Sequence, residues 1–220
     1  MFELTEDEHE IYLVSELIKG CSLKRHIDFD PLGDRENIEV AVQVLAALAH
    51  AHDRGVVHRD IKPDNIMIAA GGGPVAKVMD FGIARLEDTH RITSRGDVVG
   101  TLSYMSPEQA DGRAVDGATD VYSAALTLYE CLTGSNPFRA PTAAETIGRI
   151  QAGALPLTHV RRDLPAELSD LIEKAMEPDP QLRLGLRSFA VGLEQVLESL
   201  AASGQEATTV LRRAEKPHPG

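Results

Sequence analysis

A chain of 220 residues with net charge −12, no tryptophan and few aromatics can bury one sizeable core, with at most a minor second lobe. Its acidity argues against a nucleic-acid or anionic-membrane surface, since those partners need clustered lysine and arginine, and here only Arg85, Arg91 and Arg95 gather. Cys21 and Cys131 offer neither a disulfide framework nor metal-ligand spacing. No apolar run nears the roughly 18–20 residues of a membrane span, and residues 1–4 lack signal-peptide character, so a soluble, cytoplasmic protein is expected.

In chain order, residues 10–18 (EIYLVSELI) are rich in β-branched, aromatic and aliphatic side chains and predict a strand that Gly20 ends. Ile38, Val42, Leu45 and Ala49, flanked by Val44 and Leu48, follow a 3–4 spacing. They predict an amphipathic helix over 36–54, with Gly55 as its stop. Two short apolar runs, Ile66 to Ala69 and Val75 to Met79, bracket Gly71-Gly72-Gly73-Pro74 and predict a hairpin. Residues 87–106 are polar and aperiodic, a long loop of the kind that usually carries function.

Residues 120–133 (DVYSAALTLYECLT) are apolar nearly all round and predict a helix buried on every side, closed by Gly134 and Pro137. Further helices are expected near 142–151, 165–177 and 187–201. From about residue 202 the chain turns small and polar, and a disordered tail is expected over 202–220. Helices set apart from a small sheet make an α+β fold.

The hairpin gives the octapeptide HRDIKPDN (58–65) a geometry. Asn65 stands at the mouth of the first strand and Asp80 just past the second, so the two are expected to be neighbours. An amide oxygen facing a carboxylate suits a hard cation that takes few protein ligands, Mg²⁺ or Mn²⁺. Asp60 lies in the loop leading in, placed to accept or orient a hydroxyl proton. Lys62 can neutralise charge on a transferred phosphoryl group, and Pro63 stiffens the loop.

HRDIKPDN followed by Asp80-Phe81-Gly82 resembles the catalytic and metal-binding loops of eukaryotic-type protein kinases. VMDFGIAR, VVGTLSYMSPEQA and YSAALTLYECLTG are similar to bacterial (Hanks-type) serine/threonine protein kinases, and the resemblance runs from residue 10 to about 200. It implies a protein-kinase-like α+β fold. Residues 1–19 would be a remnant of the N-terminal lobe (fourth and fifth strands and hinge), and residues 20–201 the helical C-terminal lobe. It further implies ATP and Mg²⁺ as cofactors and protein hydroxyls as substrates, with serine or threonine favoured over tyrosine by Lys62 and by Thr101.

Carried over position by position, the resemblance makes Asp60 and Lys62 catalytic and makes Asn65 and Asp80 ligands of the ATP-bound metal. Backbone groups near Glu16 and Ile18 would meet adenine. His58 would pack under Phe81 as a structural residue, which sets aside a general-base role. Asp120 would brace the catalytic loop from beneath, and Glu108 of Ser106-Pro107-Glu108 would pair with Arg183. Thr93, Ser94 and Thr89 are phosphorylation candidates in the long loop, where a phosphate could pair with Arg59.

The family also places a glycine-rich loop, a lysine and a glutamate before the hinge. Here no Gly-x-Gly-x-x-Gly precedes it, and the first lysines, Lys19 and Lys24, follow it. Little or no activity is therefore expected of the 220 residues alone, and Ile11, Leu13 and Val14 are expected to form a bare apolar edge. Truncation is the preferred explanation, ahead of another kinase chain supplying the missing half.

One rival function is a non-catalytic kinase-like binding module, favoured by the absent clamp and opposed by the presence of Asp60, Asn65 and Asp80. Another is a small-molecule kinase of related fold, opposed by Glu108, Arg183 and Thr101. The match of Gly71, Gly73 and Ala76 to a dinucleotide fingerprint is read as chance, because a strand follows it and Pro74 interrupts it. Thr208 and Thr209 could recruit a phosphothreonine reader, but a plain tail is the favoured reading.

Overall fold

The computed structural model describes residues 3–6, 11–81 and 101–202. Strands β1 (Glu3–Glu6) and β2 (Ile11–Val14) pair antiparallel, Glu3 opposite Val14 and Glu6 opposite Ile11. The predicted strand 10–18 thus ends at Val14, and residues 15–19 run on without regular structure. One edge of β2 is covered by β1, which composition alone did not announce.

Gly20 opens a strand instead of ending one. β3 (Gly20–Ser22) adds to the predicted hairpin of β4 (Ile66–Ala69) and β5 (Val75–Val78), giving a three-stranded antiparallel sheet in the order β3-β4-β5. Glycine is required there by packing: a Cβ on Gly20 would lie 2.0 Å from the Ile68 carbonyl oxygen.

Helix α1 (Leu23–Phe29) starts where Ser22 Oγ accepts from the Arg25 N–H at 3.3 Å. Helix α2 (Asp34–His52) begins two residues earlier than periodicity predicts, because the Gly33 N–H donates to Glu36 Oε2 at 2.8 Å and closes the first turn. Gly55, at φ 75°, turns the chain away past its end.

The remaining helices are α3 (Pro107–Ala110), α4 (Ala118–Thr133), α5 (Ala143–Ala152), α6 (Leu157–Val160), α7 (Ala166–Ala175) and α8 (Leu186–Ala202). The expected stop of α4 is present as Gly134 in the left-handed region, φ 74°.

The core lies where α2 packs between α4 and α8: Ile38, Leu45 and Leu48 meet Ala125, Leu128 and Leu132 on one side and Phe189 and Leu193 on the other. Each leucine, isoleucine or phenylalanine among them contributes about 1.5–3 kcal/mol by leaving water. α4 is buried on nearly every face, as its composition predicts, because Tyr104, Phe138 and Ile150 form a second cluster with its own Tyr122 and Leu126. This buried helix is the floor on which the loop 53–62 rests. No described helix is long and apolar enough to cross a membrane. The predicted tail lies outside the described residues except for its first residue, Ala202, which still belongs to α8.

Candidate active site

The site is built upward from one buried carboxylate. Asp120, in the first turn of α4, is fully buried. Its Oδ2 accepts from the His58 N–H (2.8 Å) and from His52 Nε2 (2.7 Å), and its Oδ1 accepts from the Arg59 N–H (2.7 Å). A buried carboxylate is tolerable only with such donors, and two of these belong to the backbone of the loop it supports. The predicted brace therefore sits beneath the loop, and His52, at the end of α2, joins it.

His58 is also fully buried. Its Nε2 donates to the Met79 carbonyl oxygen at 2.8 Å, which leaves Nδ1 to accept from the Asp60 N–H at 3.3 Å. Its ring meets that of Phe81 with centroids 4.7 Å apart. Both nitrogens are engaged in holding the loop against the hairpin. Arg59 takes a left-handed backbone, φ 67°, and its carbonyl oxygen accepts from Gln109 Nε2 at 2.8 Å. Such a conformation in a non-glycine residue costs about 1–3 kcal/mol and aims Asp60.

Asp60 and Lys62 meet directly: Lys62 Nζ lies 3.0 Å from Asp60 Oδ2 and donates to Thr101 Oγ1 at 3.4 Å. Asn65 Nδ2 donates to the Asp60 carbonyl oxygen (2.8 Å) and to its Oδ2 (3.1 Å). Asp60, Lys62, Asn65 and Thr101 thus form one hydrogen-bonded group, although Thr101 is far away in sequence. The side chains of Asp60 and Lys62 keep 22% and 17% exposure, enough to meet a ligand from solvent.

The hairpin mouth is drawn shut where the Met79 N–H donates to the Asn65 carbonyl oxygen at 2.8 Å. Asp80 follows at once, exposed and with φ 55°. Asn65 and the Asp80 backbone are thereby brought to one end of the hairpin.

Glu108 and Arg183, both buried, form a two-pronged pair at 2.7 and 2.9 Å. Burial, the largest single influence, pushes the Glu108 carboxyl up, but the hydrogen bonds and charge of Arg183, together with a backbone hydrogen bond and one from Ser106, outweigh it and hold the group below the usual range. Arg183 also donates to the carbonyl oxygens of Glu177, Ala118 and Pro178, and its guanidinium stacks 5.0 Å from the Tyr122 ring. It ties α3 to α4 and to the loop before α8.

Two expectations concern residues outside this cluster. Glu16 is exposed, and its side chain forms an ion pair with Lys77 of β5. Ile18 is half-buried. Gly82 and the phosphorylation candidates Thr89, Thr93 and Ser94 lie outside the described residues.

Sequence reasoning missed four contributors. His52 is one. Tyr104 donates to the buried Glu130 carboxylate at 2.5 Å, and burial together with that charge pushes the phenol up. Asp34 is buried against Arg161 (2.7 Å). Only Gln109 carried a local signal, the Ser106-x-x-Gln109 capping box that starts α3.

Residues 1–198 match the family model described as protein kinase domain. The chain is 38% identical over 218 residues to a probable serine/threonine-protein kinase of Clostridium acetobutylicum, covering 98% of this chain and 33% of that protein. It is 39% identical over 176 residues to the serine/threonine-protein kinase PknB of Mycolicibacterium smegmatis, 78% of this chain and 28% of that one. With the serine/threonine-protein kinase PrkC of Bacillus subtilis it shares 36% over 182 residues, 82% of this chain and 28% of that one. The chain thus spans about a third or less of the length of these relatives. With residues 1–198 matched, the chain belongs to the protein kinase domain family, alongside bacterial serine/threonine kinases.

Proposed function

We propose that these residues carry out phosphoryl transfer from ATP to serine or threonine hydroxyls of protein substrates. The observation that carries this reading is the single hydrogen-bonded group of Asp60, Lys62, Asn65 and Thr101 above the buried Asp120. Asp60, held by Asn65 and Lys62, accepts or orients the proton of the incoming hydroxyl. Lys62 places positive charge beside the group in transfer, and Thr101 sets where the acceptor residue lies.

The donor set suits Mg²⁺ or Mn²⁺: Asn65 commits its amide nitrogen to Asp60, which leaves the hard oxygen Oδ1 as its ligating atom, and Asp80 supplies an exposed carboxylate at the same hairpin mouth. Such a cation, when bound, neutralises and orients the phosphate oxygens. Adenine is read by backbone groups around Glu16 and Ile18.

In the loop before Thr101, Thr93 is the favoured phosphorylation site, with Thr89 and Ser94 behind it. Arg59 supports this reading, since its buried Nε has no hydrogen-bond partner among the described residues. Two unpaired cysteines suit the cytoplasmic setting we propose.

A second reading is a non-catalytic kinase-like module that docks substrates or another kinase chain. The two separate cleanly. Radiolabel passing from ATP to a generic basic protein, and lost in Asp60→Asn, supports transfer; label that is absent, or indifferent to Asp60→Asn, supports the docking module.

A further inference from the structure

Cys21 lies in the middle of β3, and its Sγ is 3.3 Å from His26 Nε2 on α1. The other ring nitrogen, Nδ1, lies 2.9 Å from the Asp30 carbonyl oxygen, which can only accept. In the neutral ring the proton therefore sits on Nδ1, and the Nε2 lone pair faces the thiol. Both ends of α1 are pinned, by Ser22 at its start and by the Asp30 N–H on the His26 carbonyl oxygen at 3.1 Å, so the ring is held in place. A thiol facing a fixed basic nitrogen is the arrangement that makes a nucleophile.

Cys21 is half-buried and borders a cavity of about 620 Å³ formed with Leu32, Ile68, Ala69 and the Gly71–Gly73 turn. That volume lies in the range of small-molecule sites, roughly 300–1,000 Å³. The other cysteine is its opposite: Cys131 is fully buried, and burial together with the Glu130 charge pushes its thiol up. Among the described residues no third histidine, cysteine or carboxylate joins Cys21 and His26 as a metal set, so the pair is read as a reactive thiol.

We propose that Cys21 is a thiol-modification site, with His26 as its base, that exchanges with a small-molecule disulfide entering from the neighbouring cavity. His26 Nε2 takes the Cys21 proton. The thiolate attacks one sulfur of the disulfide, a new bond forms between that sulfur and Cys21 Sγ, and the original sulfur–sulfur bond breaks. The departing thiolate takes the proton back from His26 and leaves as a thiol. Cys21 is oxidised, half of the disulfide is reduced, and no other reactant is needed. The site is independent of the phosphoryl-transfer reading.

The test uses the full chain and glutathione disulfide, with adducts at Cys21 and Cys131 quantified by peptide mass spectrometry after acid quenching. In buffer, an adduct is expected on Cys21 and not on Cys131, removable by dithiothreitol, and forming faster than on Cys21 of the same chain unfolded in urea. His26→Asn keeps a donor for the Asp30 carbonyl and removes the base; with its circular dichroism spectrum unchanged, it is expected to slow the adduct about tenfold. A folded-state rate no faster than that in urea overturns the proposal, as does a folded His26→Asn variant reacting at the parent rate. If that variant does not fold, the comparison of folded and unfolded parent chain decides alone.

Discussion

The floor of the site and the loop above it hold charge in opposite ways. On the floor, Asp120, Glu108 and Arg183 are out of water, and their oxygens and nitrogens are met by fixed partners. In the loop, Asp60 and Lys62 share a hydrogen bond but stay partly wet. The contrast follows from the physics of burial. A charge removed from water must be matched completely, after which it can only position; a charge left near water can still trade its neighbours for a ligand.

Removing one partner on the floor sharpens this contrast most. Arg183→Ala leaves the Glu108 carboxylate buried and unpaired, and about 3–5 kcal/mol of stability is expected to be lost, read from urea denaturation midpoints. In the loop the balance reverses: Lys62→Met is expected to lower any transfer from ATP by about 10²–10³-fold while the urea midpoint barely moves. A large stability loss in Lys62→Met would break the comparison, since the loop would then be structural too.

Acid probes the floor from another side. Because Arg183 helps hold the folded Glu108 carboxyl below its ordinary value of 4.5, the pair's contribution is fully present above that value and fades as pH falls through the lower folded one. The parent chain is expected to lose more stability than Arg183→Ala over that acidic window, and parallel acid titrations of the two would contradict the assignment. The smallest effect belongs to the rim. Asp53 and Arg187 meet at 2.7 Å but are both exposed, so Arg187→Ala is expected to leave the thermal midpoint within scatter.

What could be read from the sequence was local or strictly periodic. The hairpin mouth came from two apolar runs and a glycine turn, and it does bring Asn65 to the residue next to Asp80. α4 came from unbroken apolarity. Elements fixed by partners elsewhere left no such mark. β3 is a strand only because β4 pairs with it, and α1, with seven residues, is too short to show a period. His52 reaches Asp120 across 68 positions and Asp34 reaches Arg161 across 127, so nothing nearby in either sequence window announces the partner. The side chain of Glu16 shows the same limit: nothing in the sequence around it announces its pairing with Lys77, 61 positions away.

Gly20 has a consequence for the stretch of chain that precedes it. Because even one methyl group there would collide with the Ile68 carbonyl, any replacement must prise β3 from β4 by more than an ångström. Lys19, whose carbonyl oxygen receives the Ala70 N–H at 2.8 Å, would be dragged along. The stretch 15–19 is thus fastened to β4 by a joint with no spare clearance, and even alanine at position 20 acts as a wedge.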